Sequence, residues 1–153
     1  MPAAAIVYVP WLILGASGGG EAPAGWRLLG LVPILGGLAV LLLCFVGFVV
    51  EGQGTPAPYD PPRRLVTGAL YARVRNPIYL AVLTTLLGEA IVFGSGVLLV
   101  WVVAAALMFH SFVVGYEEPG LRARFGAPYE DYLKRVPRWI PRARCQAATA
   151  SSR

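Results

Sequence analysis

Two apolar stretches separated by proline-broken polar segments organise this chain. Residues 28–50 carry no charge, and residues 78–115 carry only Glu89 and the single histidine, His110. About 20 apolar residues cross a hydrocarbon core of about 30 Å as a helix. Residues 26–50 therefore predict a transmembrane helix, with Trp26 and Arg27 as interfacial anchors. The second stretch is too long for one span, since a single helix over it would reach ~54 Å at ~1.5 Å per residue. Gly94-Ser95-Gly96 interrupts it near the middle. This predicts a helical hairpin with arms at about 77–93 and 97–115, which returns the chain to the side it left. Residues 3–16 are apolar but short, with Pro10 inside. A tilted span is the preferred reading there, and a re-entrant or interfacial helix the alternative.

The intervening segments read differently. Residues 17–25 (SGGGEAPAG) predict a flexible turn. Residues 51–62 contain Pro56, Pro58, Pro61 and Pro62, which remove donors and fix the backbone, so they predict an ordered polar loop and not a helix. Beyond Pro119 the chain turns amphipathic. Leu121, Phe125, Tyr129, Tyr132 and Leu133 recur at helical spacing, with Arg122, Arg124, Glu130, Asp131 and Lys134 between them. That predicts an interfacial helix, or two short ones broken at Gly126-Ala127-Pro128. Residues 142–153 are small and polar and predict a disordered tail. The expected fold is all-α: a polytopic membrane protein of four transmembrane helices (3–16, 26–50, 77–93, 97–115). An interfacial C-terminal helical segment completes one domain over 1–141.

Composition agrees. The chain is 57% hydrophobic and 14% charged, against roughly 45–50% and about 25% in soluble proteins. The net charge of +5 matters less than its placement. Of 13 Lys and Arg, only Arg27 precedes residue 51. Arg63, Arg64, Arg73 and Arg75 lie in 51–77, and the other eight lie beyond 115. Positive charge near membrane ends marks the cytoplasmic side, so both basic regions and both termini are expected there. Charge that borders membrane segments speaks for a lipid surface as partner and against nucleic acid. Cys44 and Cys145 form no disulfide or metal spacing, and Cys44 reads as a small hydrophobe. The N-terminus lacks the basic region of a signal peptide, so it is expected to remain in place.

Several polar residues crowd the two ends of the hairpin. Glu117 and Glu118 stand where the second arm emerges. Adjacent carboxylates repel unless cations or hydroxyl donors satisfy them. They suit ribose hydroxyls or a cationic ligand, or else they form a solvated helix end paired with Arg122 and Arg124. His110 lies just before this pair on the same arm and is placed to bond a ligand. With no second histidine and no cysteine partner, it does not suggest a metal. Arg75 and Arg138 offer planar forks for a carboxylate or phosphate. Arg63 and Arg64 fit lipid anchoring better. Asn76-Pro77 fixes the backbone beside Arg75, and Pro77 suits a first helical turn. Glu89 lies about twelve residues further on, ~18 Å away, and reads as a packing or snorkelling residue. Trp139 reads as an interfacial anchor. No catalytic triad, phosphate loop or metal-ligand series is present in the sequence.

At these residues the chain resembles the isoprenylcysteine carboxyl methyltransferase family and its wider kin, the phospholipid methyltransferases. The likeness covers about residues 51–141. It runs through Gly54-Thr55-Pro56, Arg75-Asn76-Pro77-Ile78-Tyr79, Glu117-Glu118-Pro119-Gly120-Leu121, Arg124-Phe125-Gly126, Tyr129, Tyr132 and Val136-Pro137-Arg138-Trp139-Ile140-Pro141. The resemblance implies an integral membrane enzyme that uses S-adenosylmethionine near the cytoplasmic interface of a bacterial inner membrane. By that likeness Asn76, Pro77 and Tyr79 wall the cofactor site, and His110 with Glu117 or Glu118 contacts its polar groups. Arg75, Tyr132 and Arg138 orient a lipidic or small hydrophobic methyl acceptor. The eukaryotic branch typically has His where Asn76 stands and another residue at Arg138, a departure that weighs against a prenylcysteine substrate. A membrane reductase of the steroid-reductase type, with a nicotinamide cofactor, and a non-catalytic interaction protein are the competing readings.

Overall fold

A computed structural model describes residues 4–18, 23–47, 49–50 and 65–141. The predicted loop 51–62, Arg63, Arg64, Cys145 and the tail 142–153 lie outside the described residues. The described part is helical with no strand. A π-helical turn at Ala4–Tyr8 leads into α1 (Val9–Ser17), and α2 spans Ala24–Gly47. A 3-10 turn at Ala69–Ala72 precedes the hairpin of α3 (Pro77–Phe93) and α4 (Gly96–Phe112). Two helices are long and apolar enough to cross a membrane, Gly25–Gly47 and Gly96–Phe125, while Ala4–Ser17 and Pro77–Phe93 are shorter apolar helices. Leu28, Leu35, Val100 and Leu107 point outward, each more than 60% exposed. Apolar faces this broad are at home in lipid.

Helices α2 and α3 run antiparallel in close contact. Gly30 meets Gly88, Gly37 meets Ala81 and Thr85, and Cys44 packs with Tyr71 near Ile78. A Cβ on Gly30 would stand 2.7 Å from the Gly88 carbonyl oxygen, and a Cβ on Gly88 would stand 2.7 Å from that of Gly30. The backbones touch because neither residue has a side chain, the usual device of helix pairs in lipid. This crossing sets the ends of the bundle: Gly47 and Pro77 lie at one, Pro23 and Gly94 at the other. Cys44 is thus core-facing, as a small hydrophobe should be.

The hairpin forms where the sequence interrupts it. Gly94 closes α3 with φ +57°, a left-handed conformation natural to glycine, and the Ser95 Oγ caps α4 by accepting from the Leu98 amide at 3.4 Å. Seventeen residues per arm give ~25 Å, slightly short of a ~30 Å core. Ala5 and Ile6 fill the groove of this hairpin against Val82, Leu86 and Ala105.

The second arm was expected over about 97–115, with an amphipathic segment beyond Pro119. The amphipathic segment is there, but α4 runs past the expected bound, continuing through a π-helical turn, Val113–Glu117, into α5 (Glu118–Phe125). Pro119 lacks an amide hydrogen, and its ring crowds the carbonyl four residues back. The wider π turn immediately before it relieves that conflict, so the helix carries on. His110, Glu117 and Glu118 therefore share one continuous helix. Gly126, at φ +56°, ends it. The short α6 (Ala127–Arg135) folds back on α5, closing a small core of Tyr129, Tyr132 and Val136 against Leu65, Leu121, Phe125 and Leu133. The predicted break at Gly126-Ala127-Pro128 is where the chain turns.

Candidate active site

Three pieces of chain converge at the end of the bundle where α3 begins and α4 runs into α5. The first is the turn 73–76 ahead of α3. The second is the Glu117-Glu118 pair. The third is a C-terminal strap, residues 136–141, anchored by buried Val136. Pro77 opens α3 in its first turn, and Asn76 before it is non-helical. The Arg75 amide donates to the Pro137 carbonyl at 2.9 Å, and the Asn76 Nδ2 donates to the Arg138 carbonyl at 3.2 Å. Segments 62 residues apart in sequence are thus sewn edge to edge.

Glu118 is the hub. It is 5% exposed, and both its oxygens are taken by arginine. Arg138 grips it in a fork, Nε to Oε1 at 2.7 Å and Nη2 to Oε2 at 3.0 Å, while Arg75 Nη1 reaches Oε1 at 2.9 Å. The expected alternative, a solvated carboxylate pair neutralised by Arg122 and Arg124, does not hold. Arg122 pairs with Glu130 at 2.9 Å, and Arg124 lies over the Phe125 ring. Turning α6 back on α5 brings Glu130 within reach of Arg122, while the strap delivers Arg138 to Glu118.

Glu117 has another neighbourhood. Its Oε1 accepts from the Tyr79 hydroxyl at 2.5 Å, and Tyr79 packs on Phe109 with ring centroids 4.8 Å apart. About two helical turns back, the exposed His110 accepts at Nδ1 from the Trp139 indole N–H at 3.1 Å. The structure thus brings Arg75, Asn76, Pro77, Tyr79, His110, Glu117, Glu118 and Arg138 to one end of the bundle. Tyr132 lies there too, but its hydroxyl donates to the Tyr71 carbonyl at 2.8 Å, so it braces the turn ahead of α3. Burial, with Tyr129 adding to it, pushes the Tyr132 phenol above its ordinary range, and it stays a donor at neutral pH. Burial and nearby Glu118 likewise raise Tyr129, with Arg75 and Arg122 opposing. The bond to Glu118 raises Arg138 further, so its charge is secure. Tyr132→Phe should leave the Tyr71 carbonyl without this donor and cost about 1–2 kcal/mol, read as a lower unfolding temperature in detergent.

A cavity of about 80 Å³ opens between Arg75, Asn76 and Glu118 on one side and Leu65, Val66, Phe125 and Tyr129 on the other. Arg75 Nε is buried beside it with no hydrogen-bond partner among the described residues. A larger hollow of about 290 Å³, lined by Pro23, Trp26, Ala90, Ile91, Ser95 and Leu99, lies at the opposite end of the bundle from this chemistry. Glu89 is half-buried on α3 with Oε2 enclosed and unbonded among the described residues, apart from the polar cluster as its spacing implied. Among the described residues, no three His, Cys, Asp or Glu side chains gather as for a metal.

The family model for phospholipid methyltransferases matches residues 41–128, which covers α2 from its last turns through α5 and most of the cluster. The chain belongs to the phospholipid methyltransferase family. No curated protein and no solved structure matches it, and nothing in these comparisons supports the reductase alternative.

In a methyltransferase of this family the residues present suit the cofactor the resemblance implies. S-adenosylmethionine presents a carboxylate, an ammonium, a sulfonium and a ribose diol. Glu117, bonded through Tyr79 and half-exposed, has acceptor capacity left for hydroxyls or an ammonium. Sequence reading missed Tyr71, whose carbonyl Tyr132 needs, and Tyr129, which lines the cavity. It also read Trp139 as a lipid anchor. No local signal exposes these roles, because each arises from contact between segments far apart in the chain.

Proposed function

We propose that this protein is an S-adenosylmethionine-dependent methyltransferase of the membrane, acting on a carboxylate or amine of a lipidic or small hydrophobic acceptor. The observation that carries the reading is the junction of Arg75, Glu117, Glu118 and Arg138 at one end of an apolar bundle, much of it inside the region that matches the family. The domain is residues 1–141 with four spans, and its site faces the cytoplasm of a bacterial inner membrane. The basic residues collected at that end support this orientation.

When bound, the cofactor supplies a methyl group already activated on a sulfonium, and the protein contributes alignment and exclusion of water. Glu117 holds hydroxyl or ammonium donors, Asn76, Pro77 and Tyr79 form the wall, and His110 adds a polar contact. Arg75 fixes a carboxylate through Nε while its Nη1 stays on Glu118, so one acceptor oxygen is restrained and the other is free to react. Arg138 secures the same carboxylate hub and covers it with the strap. For an amine acceptor, Glu117 is placed to take the proton. An acceptor with a hydrocarbon tail reaches the site from the bilayer that bathes the outer faces of α2 and α4.

The reading is tested by incubating the protein, in vesicles carrying its own membrane lipids, with S-adenosylmethionine labelled in the methyl group. Label is expected in the organic phase and is expected to fall more than tenfold in Arg75→Ala. Mild alkali then separates the two chemistries: an ester releases its label as methanol and a methylamine retains it. Transfer to no lipid, with equal background in wild type and Arg75→Ala, speaks against the reading.

A further inference from the structure

We infer that Trp139 is a positioning residue that sets the tautomer of His110, and through it the hydrogen-bonding character of the open side of the site. This deepens the proposed function and rests on it for the ligand, but the tautomer itself does not. The Trp139 indole is a donor only, and its Nε1–H points at His110 Nδ1 over 3.1 Å, with the two rings 6.0 Å apart and tilted by 36°. A ring nitrogen that accepts carries no hydrogen. The tautomer that fits this bond carries its ring hydrogen on Nε2. His110 is exposed, so Nε2–H is available to an oxygen or nitrogen acceptor of a ligand. Without Trp139 a free imidazole interconverts between tautomers and presents a donor there only part of the time.

The strap makes this device possible. Pro137 and Arg138 are tied by their carbonyls to Arg75 and Asn76, and the Arg138 side chain is tied to Glu118. Trp139 comes next and has little freedom left, so its N–H is directed across the site to α4. The same indole lies where it shields His110 from one side. The ligand class this selects is one with a hydrogen-bond acceptor at the His110 Nε2 position, such as a carboxylate or ribose oxygen of a nucleoside-amino acid cofactor. A ligand that only donates there is excluded.

The chain has one histidine, so nitrogen NMR of the protein labelled with 15N-histidine in detergent gives one pair of ring signals. At neutral pH the signals are expected to report a single tautomer with hydrogen on Nε2. Trp139→Phe keeps the ring and removes the N–H. It is expected to move the signals toward the mixed pattern of free imidazole, with the unfolding temperature unchanged. S-adenosylhomocysteine affinity should fall by up to about twofold in this variant, because the donor tautomer is then populated only about half of the time or more and affinity scales with that fraction. Wild-type signals of the opposite tautomer, or signals identical in wild type and Trp139→Phe, overturn the inference whatever the ligand does. An unmoved S-adenosylhomocysteine affinity with shifted signals overturns the link to the site. If S-adenosylhomocysteine does not bind wild type while the tautomer result stands, it is the functional proposal that fails and not the assignment to Trp139.

Discussion

Glu118→Ala should be the most damaging single change at the site, lowering stability by about 3 kcal/mol. Removing one partner of a buried ion pair costs roughly 3–5 kcal/mol, because the remaining charge stays buried and uncompensated. The lower end applies here, since Arg138 is 30% exposed and can turn to water, whereas Arg75 at 14% cannot readily do so. Loss of Glu118 leaves two guanidinium groups facing each other across the space it filled. The strap then loses the Arg138 grip and keeps the two bonds from Arg75 and Asn76, the Trp139 bond to His110 and the packing of Val136. Glu118→Gln retains an acceptor oxygen but not the charge and should fall between wild type and alanine. Thermal unfolding in a fixed detergent, followed by circular dichroism, orders the three. Equal stability of all three would show that the arginines are held some other way.

Gly88→Val is the second large effect and acts on the membrane part. Its new side chain starts 2.7 Å from the Gly30 carbonyl oxygen, and backbone cannot rotate aside as a side chain can. Overpacking of this kind costs about 1–3 kcal/mol, and the upper end is expected where backbone stands in the way. Since α3 carries Pro77 and Tyr79 at its other end, a displaced crossing also disturbs the site. Gly36→Ala is the control. Gly36 is exposed on α2 with nothing near its would-be Cβ, so stability should hold or rise slightly through better helix propensity. Unfolding temperatures that fall alike in Gly36→Ala and Gly88→Val would remove the close crossing as the cause.

The sequence showed the fold wherever local chemistry decides it. The hairpin turn at Gly94–Gly96 and the helix start at Pro77 follow from backbone rules that need no tertiary knowledge. The turn at Gly126 follows in the same way. The course of the chain past Val113 was not legible in this way. The second arm was expected to reach only about residue 115, and a π turn, which has no reliable sequence mark, carries the helix past Pro119 to Phe125. That the polar residues would gather at one end of the bundle was legible, because they are ordered around the hairpin. Its pairings were not. Glu118 has basic residues at Arg122 and Arg124 nearby in sequence, yet it bonds Arg75 and Arg138, 43 and 20 residues away. Helical spacing favours the near partners, and chain folding delivers the far ones into a buried setting where the pairing is stronger. The adjacent carboxylates thereby take separate roles. Glu118 orders arginines, and Glu117 accepts from Tyr79.

The most direct test of that division is calorimetric titration of the purified protein in detergent with S-adenosylhomocysteine, alongside Glu117→Gln. Saturable one-to-one binding in wild type, weakened at least tenfold in a Glu117→Gln protein of unchanged unfolding temperature, is the predicted result. No binding by a folded wild-type sample, or equal affinity in Glu117→Gln, would contradict the account.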